Sequence, residues 1–235
     1  MAYSPTCDSY LMVYMPIEIL FDETDIQRII NLNAAPPTGI RNAALIIGAS
    51  YWGLTTSELT LLPLDAVMAE SGEFYRVWTL PASVSYTGQE RELHTENHVV
   101  PILEAYMCWY INSQVTRSNL NWYRNSDPKG KFFLNDRLER FEMTLRKKGG
   151  SDYQPKLMNE KLKSFIKKAG YEGATPRTFR DSWIKMMYDN GCHYNELMEV
   201  SGIKSKETLD KKIKPKKETM DSVFQSIFNR VKLPK

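Results

Sequence analysis

The sequence predicts a mainly α domain with a small antiparallel β-sheet, an α+β arrangement. Two observations set the class. Most of the chain falls into stretches with apolar residues three and four apart, such as Phe179, Trp183, Met186 and Met187, the spacing of one helix face. β-rich sequence is short and scattered by comparison, the longest run being Phe74-Tyr75-Arg76-Val77-Trp78-Thr79-Leu80.

In order, residues 1–21 carry aromatic and apolar residues with Pro5 and Pro16, an extension expected to dock on the domain or on another protein. Thr24 opens a helix, because Thr24-x-x-Gln27 has the spacing of a capping box and Ile26, Ile29 and Ile30 follow. A loop at residues 34–39 leads to Arg41–Trp52, apolar on nearly all sides and so expected to be buried. Gly53 ends that helix, Thr55-x-x-Glu58 caps the next, and Pro63 limits it. A sheet of two or three strands is expected from residues 74–80, the turn Tyr86-Thr87-Gly88-Gln89 and a strand at His98-Val99-Val100-Pro101. Leu103–Ile111 reads as helix and the polar run 117–131, with Arg117, Asn119, Asn121 and Arg124, as an exposed loop. Residues 131–134 read as a short strand and 136–148 as helix. Lys156–Lys168 is a helix with Leu157, Leu162, Phe165 and Ile166 inward, closed by Gly170. Asn190-Gly191 stops the helix that begins near Pro176, since both residues tolerate the left-handed conformation. Tyr194–Val200 is a short helix closed by Ser201-Gly202, and another short segment ends at Pro215. In the last stretch, Glu218–Lys232, Met220, Val223, Phe224, Ile227, Phe228 and Val231 form one apolar stripe. The expected organisation is therefore an extension (1–21), a domain (22–217) and a C-terminal interaction helix (218–235).

Composition excludes several classes. A hydrophobic content of 42% with 25% charged residues describes a globular chain. No apolar run approaches the ~18 residues of a membrane span. The first eight residues lack the basic region of a signal peptide. The three cysteines, Cys7, Cys108 and Cys192, lie far apart, so neither a metal site nor a disulfide framework is expected. No cofactor is expected, and a reducing cytoplasm is the expected compartment. The net charge of +3 conceals a division. Residues 1–130 hold 7 Lys+Arg against 14 Asp+Glu, and residues 131–235 hold 24 against 14, so −7 and +10 make up the whole. Such asymmetry points to a polyanionic partner for the second half.

The stretch Thr175-Pro176-Arg177-Thr178-Phe179-Arg180 sets two arginines three residues apart at the mouth of a buried helix. Guanidiniums in that setting suit phosphate, which arginine grips with two parallel hydrogen bonds. Pairing with Asp181 and Glu172 is the alternative.

The order of these motifs resembles the catalytic domain of the tyrosine recombinases, the phage-integrase family. Residues 41–45 through Gly53-Leu54-Thr55-Thr56-Ser57-Glu58-Leu59 resemble the first box, a buried helix and then G-L-R-x-S-E-L. Residues 79–102 resemble the hairpin that carries the family's lysine, and Arg177-Thr178-Phe179-Arg180 with Asn190-Gly191 resembles H-x-L-R before a helix ending N-G. Residues 197–202 and 208–215 resemble the L-L-G-H segment and the tyrosine helix. The resemblance covers roughly residues 22–217. The 21 preceding residues are too few for the family's N-terminal DNA-clamping domain, so none is expected.

The resemblance implies a tyrosine hydroxyl that attacks a DNA phosphodiester, two arginines that hold its oxygens, and a lysine and histidines that move protons. Carried over position by position, the first arginine falls on Thr55 and the lysine near Tyr86. The first histidine falls on Arg177, the second arginine is matched by Arg180, and the second histidine or tryptophan falls on Ile203. The nucleophile falls at Lys211 or Lys212, and no tyrosine lies between Tyr194 and the C-terminus. Thr55 suits a helix cap and Ile203 a core position. Each missing group is worth on the order of 10²–10⁴ in rate. The expectation is a recombinase-like fold with no catalytic residues. Its former active-site face would bind double-stranded DNA through Arg177, Arg180, Lys204, Lys206, Lys211 and Lys212. Two other readings stand beside it. One is an active recombinase with a displaced nucleophile, Tyr188 or Tyr194. The other is an interaction module that modulates an active recombinase, or pairs with itself, through Met220, Val223, Phe224, Ile227, Phe228 and Val231.

Overall fold

The computed structural model describes residues 19–113 and 121–214, together with Phe224. Helices and two small antiparallel sheets make up the architecture, in the order α1 (Glu23–Asn33), α2 (Gly39–Tyr51), α3 (Thr56–Leu61), α4 (Leu64–Val67), β1 (Val77–Leu80), β2 (Arg91–His94), α5 (Val100–Asn112), β3 (Thr144–Leu145), β4 (Tyr153–Gln154), α6 (Lys156–Lys168), α7 (Pro176–Asp189), α8 (Tyr194–Ser201) and α9 (Lys206–Ile213). A 3₁₀ turn, Tyr123–Asn125, follows α5. Pairing is β1 with β2 and β3 with β4.

The centre of the fold is α2, with every residue from Arg41 to Ser50 buried, as expected for a stretch apolar on nearly all sides. It packs against α1, α5 and α7. Arg41 is fully buried in this helix and donates to the Leu134 carbonyl (3.1 Å) and to Asp136. Beyond the end of α2, the indoles of Trp52 and Trp78 both donate to the Thr95 hydroxyl, at 3.1 and 3.0 Å, which locks the β1–β2 hairpin onto the core. Phe21 is buried against Phe179 and Tyr171, and its N–H donates to Ser182 Oγ at 2.7 Å. Phe21 thus packs on the helical fold, while residues 1–18 of the expected extension lie outside the described residues. A second, smaller core of Trp183, Ile184, Leu197, Ile203, Leu209 and Ile213 binds α7, α8 and α9 together.

Several sequence expectations are corrected. The first helix is capped by Asp22 reciprocally with Asp25, two residues before the Thr24 box. The second strand is Arg91–His94, not 98–101; Val100 and Pro101 open α5, where a proline's missing N–H has no intrahelical partner to lose. Residues 131–134 form isolated bridges, Lys131 to Pro63 and Leu134 to Arg140. The helix expected over 136–148 is absent because the Asn135 side chain accepts the N–H groups of Arg137 (2.8 Å) and Glu139 (3.1 Å). That local capture turns the chain at Leu138, which has a positive φ of 63°. In α6 the inward residue of the first turn is Met158, and Leu157 is exposed.

Of the proposed interaction stripe, Phe224 is helical and half-exposed, while Met220, Val223, Ile227, Phe228 and Val231 lie outside the described residues. So do Arg117 and Asn119 of the polar run. Arg124 is committed to a two-point ion pair with Glu104, at 2.6 and 2.9 Å.

Candidate nucleic-acid interface

The site begins at α3. Thr55 is its N-cap, with its hydroxyl accepting from the Glu58 N–H (3.2 Å) and the Glu58 carboxylate accepting from the Thr55 N–H (2.7 Å). Glu58 is fully buried and does more than close that box. It forms a two-point ion pair with Arg91 of β2, at 2.7 and 2.9 Å, and accepts the N–H of Tyr86 at 3.0 Å. Arg91 in turn donates to Ser85 Oγ at 3.1 Å. The turn that carries Tyr86 is therefore fastened to α3 by one buried carboxylate. Burial pushes the Glu58 pKa up, yet the hydrogen bonds and charge of Arg91, with the Thr55 and Tyr86 N–H groups, bring it below the ordinary value.

Arg180, one turn into α7, is held by backbone. Its Nε donates to the Gly53 carbonyl (3.0 Å) and its Nη2 to the Ser201 carbonyl (2.6 Å). Tyr86 lies over it, the guanidinium 4.8 Å from the ring centroid, and Nη2 also donates to the Tyr86 hydroxyl at 3.2 Å. Arg91 approaches the same ring at 5.6 Å. These contacts draw the α2–α3 corner, the β1–β2 turn, α7 and the end of α8 to one point.

Lys212 of α9 reaches α7, where it pairs with Asp181, and both side chains are largely buried. Arg177, mostly exposed, meets the other oxygen of Asp181 at 3.4 Å. Burial lowers the Lys212 pKa, with Arg177 and Arg180 adding to the effect and Asp181 opposing it. Burying Leu209 and Ile213, one on each side of Lys212, contributes roughly 3–6 kcal/mol before ordering costs and holds α9 in place.

Of the expected cationic face, Arg177, Arg180 and Lys212 are brought together around Asp181 and Tyr86. Lys204, Lys206 and Lys211 are exposed on α9 and the link before it, and Lys211 pairs with Glu207 at 2.8 Å. That pair is exposed on both sides and contributes little. Ile203 is buried in the smaller core. Tyr188 is exposed near the end of α7. The Tyr194 hydroxyl donates to the Lys206 carbonyl (2.8 Å) and to Asp210 (3.1 Å), and burial followed by the Asp210 contacts raises its pKa. Neither tyrosine has a hydrogen bond to Arg177 or Arg180 among the described residues. Sequence reasoning named Asp181 as a partner for the arginines, which Arg177 bears out, but missed its pairing with Lys212, 31 positions away, and missed Arg91, whose partner Glu58 lies 33 positions away.

Neither a family model nor a curated protein matches this sequence. Among solved structures it is similar to XerA recombinase, with a TM-score of 0.61 at 16% identity, covering 92% of this chain and 66% of that one. The chain has the tyrosine-recombinase fold. A second similar structure is XerH site-specific recombinase in a post-cleavage complex with palindromic difH substrate, with a TM-score of 0.59, 14% identity and coverage of 91% and 54%. A third is the Tn1549 transposon integrase in complex with circular intermediate DNA, at 0.56, 10%, 90% and 66%. The chain thus spans less than two-thirds of the length of these recombinases. Among the described residues, no helix is long and apolar enough to cross a membrane, and no cluster of His, Cys, Asp and Glu could hold a metal ion.

Proposed function

We propose that this chain is a double-stranded-DNA-binding protein that keeps the recombinase fold without strand-cleaving chemistry. It serves as an accessory or regulator of the integration, recombination or replication of a mobile element. The observation that carries this reading is Lys212. It stands in the helix where the family resemblance puts the nucleophile, α9 contains no tyrosine, and the ammonium is tied to Asp181 beside Arg177 and Arg180. Held as an ammonium by Asp181, it has no free lone pair with which to attack phosphorus. Thr55, a helix cap, and Ile203, a core residue, supply neither a cation nor a proton donor. Binding through such a face rests on phosphates, which position a protein without choosing a sequence.

A titration of labelled duplex tests the reading. With about 5 phosphates neutralised, log K falls with log[salt] at a slope near −4 to −5, and Arg177→Ala with Lys211→Ala makes it shallower by about 1–2 units. A salt-independent or undetectable affinity sinks the proposal. In a companion experiment on nicked duplexes carrying the ends of the element, no covalent adduct is expected on denaturing gels. An adduct would restore the displaced-nucleophile reading, and Tyr188→Phe and Tyr194→Phe would then locate it.

A further inference from the structure

The β3–β4 hairpin carries an arrangement that the arginine cluster does not use. Leu145 and Tyr153 are directly paired across its two strands, so their side chains share one face of the ribbon. Both are exposed, Tyr153 at 63%. A paired apolar face on a two-stranded ribbon is ordinarily covered by a helix or a second sheet; this one meets solvent. Beyond the pair, the Arg146 N–H donates to the Asp152 carbonyl (2.8 Å) and the Gly150 N–H to the Lys147 carbonyl (3.0 Å), which closes a firm tip. Gly149, at φ 81°, makes that turn without side-chain strain. The tip holds Arg146, Lys147 and Lys148 in succession, all exposed. Among the described residues none of the three takes part in an ion pair, unlike Lys129, Lys161, Lys185, Lys211 and Lys214. Two residues after β4, α6 opens with Lys156, and Lys163 and Lys167 continue an exposed row along it.

We infer that this hairpin is a second DNA contact, a ribbon that enters a groove of the duplex with Arg146, Lys147 and Lys148 on the phosphates and Leu145 and Tyr153 against sugars and base edges. The inference rests on the DNA-binding reading above and adds a site to it. Charge complementarity selects the occupant. Three unpaired cations at the tip meet phosphates without breaking an existing ion pair, and the major groove is wide enough for a two-stranded ribbon. The exposed tyrosine adds apolar contact that carries no salt dependence, so the two halves of the hairpin leave different signatures in a titration.

The test uses the full chain and a fluorescein-labelled mixed-sequence duplex over a range of salt. Lys147→Ala with Lys148→Ala is expected to make the salt slope shallower by about 2 units. Tyr153→Ser is expected to weaken binding several-fold at every salt concentration with the slope unchanged. A Tyr153→Trp variant should show an emission change on adding duplex. If the unmodified chain binds with a steep slope and the hairpin variants match it in slope and affinity, the hairpin proposal is overturned and the DNA-binding reading stands. If the unmodified chain does not bind, both fall. If the variants bind DNA unchanged but lose self-association in sedimentation, the ribbon is a contact between copies and the proposal is likewise overturned.

Discussion

Arg91→Met should lower the stability of the domain by about 3–5 kcal/mol, read as a fall in the urea midpoint at neutral pH. The reason is what remains behind. Glu58 has no exposed surface, and its two oxygens are satisfied by Arg91, Ser85's partner in the same network, and by the N–H groups of Thr55 and Tyr86. Removing the guanidinium leaves a buried carboxylate with only the Thr55 hydroxyl and two backbone N–H groups as donors. In a chain of this size the loss corresponds to roughly 6–20 °C in melting temperature. Adding Glu58→Gln to Arg91→Met should recover part of it, because no charge is then buried and the amide oxygen still accepts one of the two N–H groups, which reach different carboxylate oxygens. No recovery would mean that the packing of Arg91 on the Tyr86 ring, and not the ion pair, carries the stability.

The same pair sets a pH dependence. The folded pKa of Glu58 lies below its ordinary 4.5. Its contribution is therefore complete above pH ~4.5 and is lost as the pH falls through the folded value. In Arg91→Met the sign reverses, since an unpaired buried carboxyl prefers its proton and acid relieves the penalty. The gap in stability between the two proteins should thus narrow from pH 7 toward pH 4. A gap of constant width across that range would detach the effect from Glu58 ionisation.

What could be read in advance follows from the range of the interactions. The Thr55–Glu58 cap, the Gly53 stop, the buried α2 and the left-handed ends at Gly191 and Gly202 are local and left local signatures. The recombinase-like order of elements was legible from those signatures. Misreadings arose where one local preference defeated another. Val99 and Val100 are β-branched, yet the following proline and the burial of Val99 and Leu103 favour the start of α5. Residues 136–148 have helical composition, yet Asn135 captures the backbone first. In the candidate site Thr55, Tyr86, Ile203 and Lys212 could be singled out by position. Their contacts could not. That Lys212 would reach Asp181, or that Tyr86 would lie across Arg180 and Arg91, depends on how α9 and the hairpin turn pack on α7, and no periodicity encodes that.

The geometry around Arg180 has one further dependence, on a residue with no side chain. Gly53→Ala should destabilise the domain by roughly 2–5 kcal/mol, the sum of about 1–2 for a left-handed alanine and about 1–3 for overpacking. Gly53 has φ 61°, and a Cβ there would come within 2.4 Å of the Trp183 ring. Trp183 is buried in the smaller core that joins α7 to α8 and α9, so it has little room to yield. Gly88→Ala is the control, because Gly88 has φ 68° but no atom within 4 Å of the added carbon. It should cost only the backbone share, and the difference between the two variants measures the clash. Function should follow the same order. The Gly53 carbonyl accepts Arg180 Nε, so pushing Trp183 away shifts both ends of that hydrogen bond and displaces the guanidinium from beneath Tyr86. Gly53→Ala should therefore weaken duplex binding even at temperatures where the variant is folded, while Gly88→Ala should not. If the two variants melt together and bind alike, Trp183 gives way without cost, and Arg180 is held by Ser201 and Tyr86 alone.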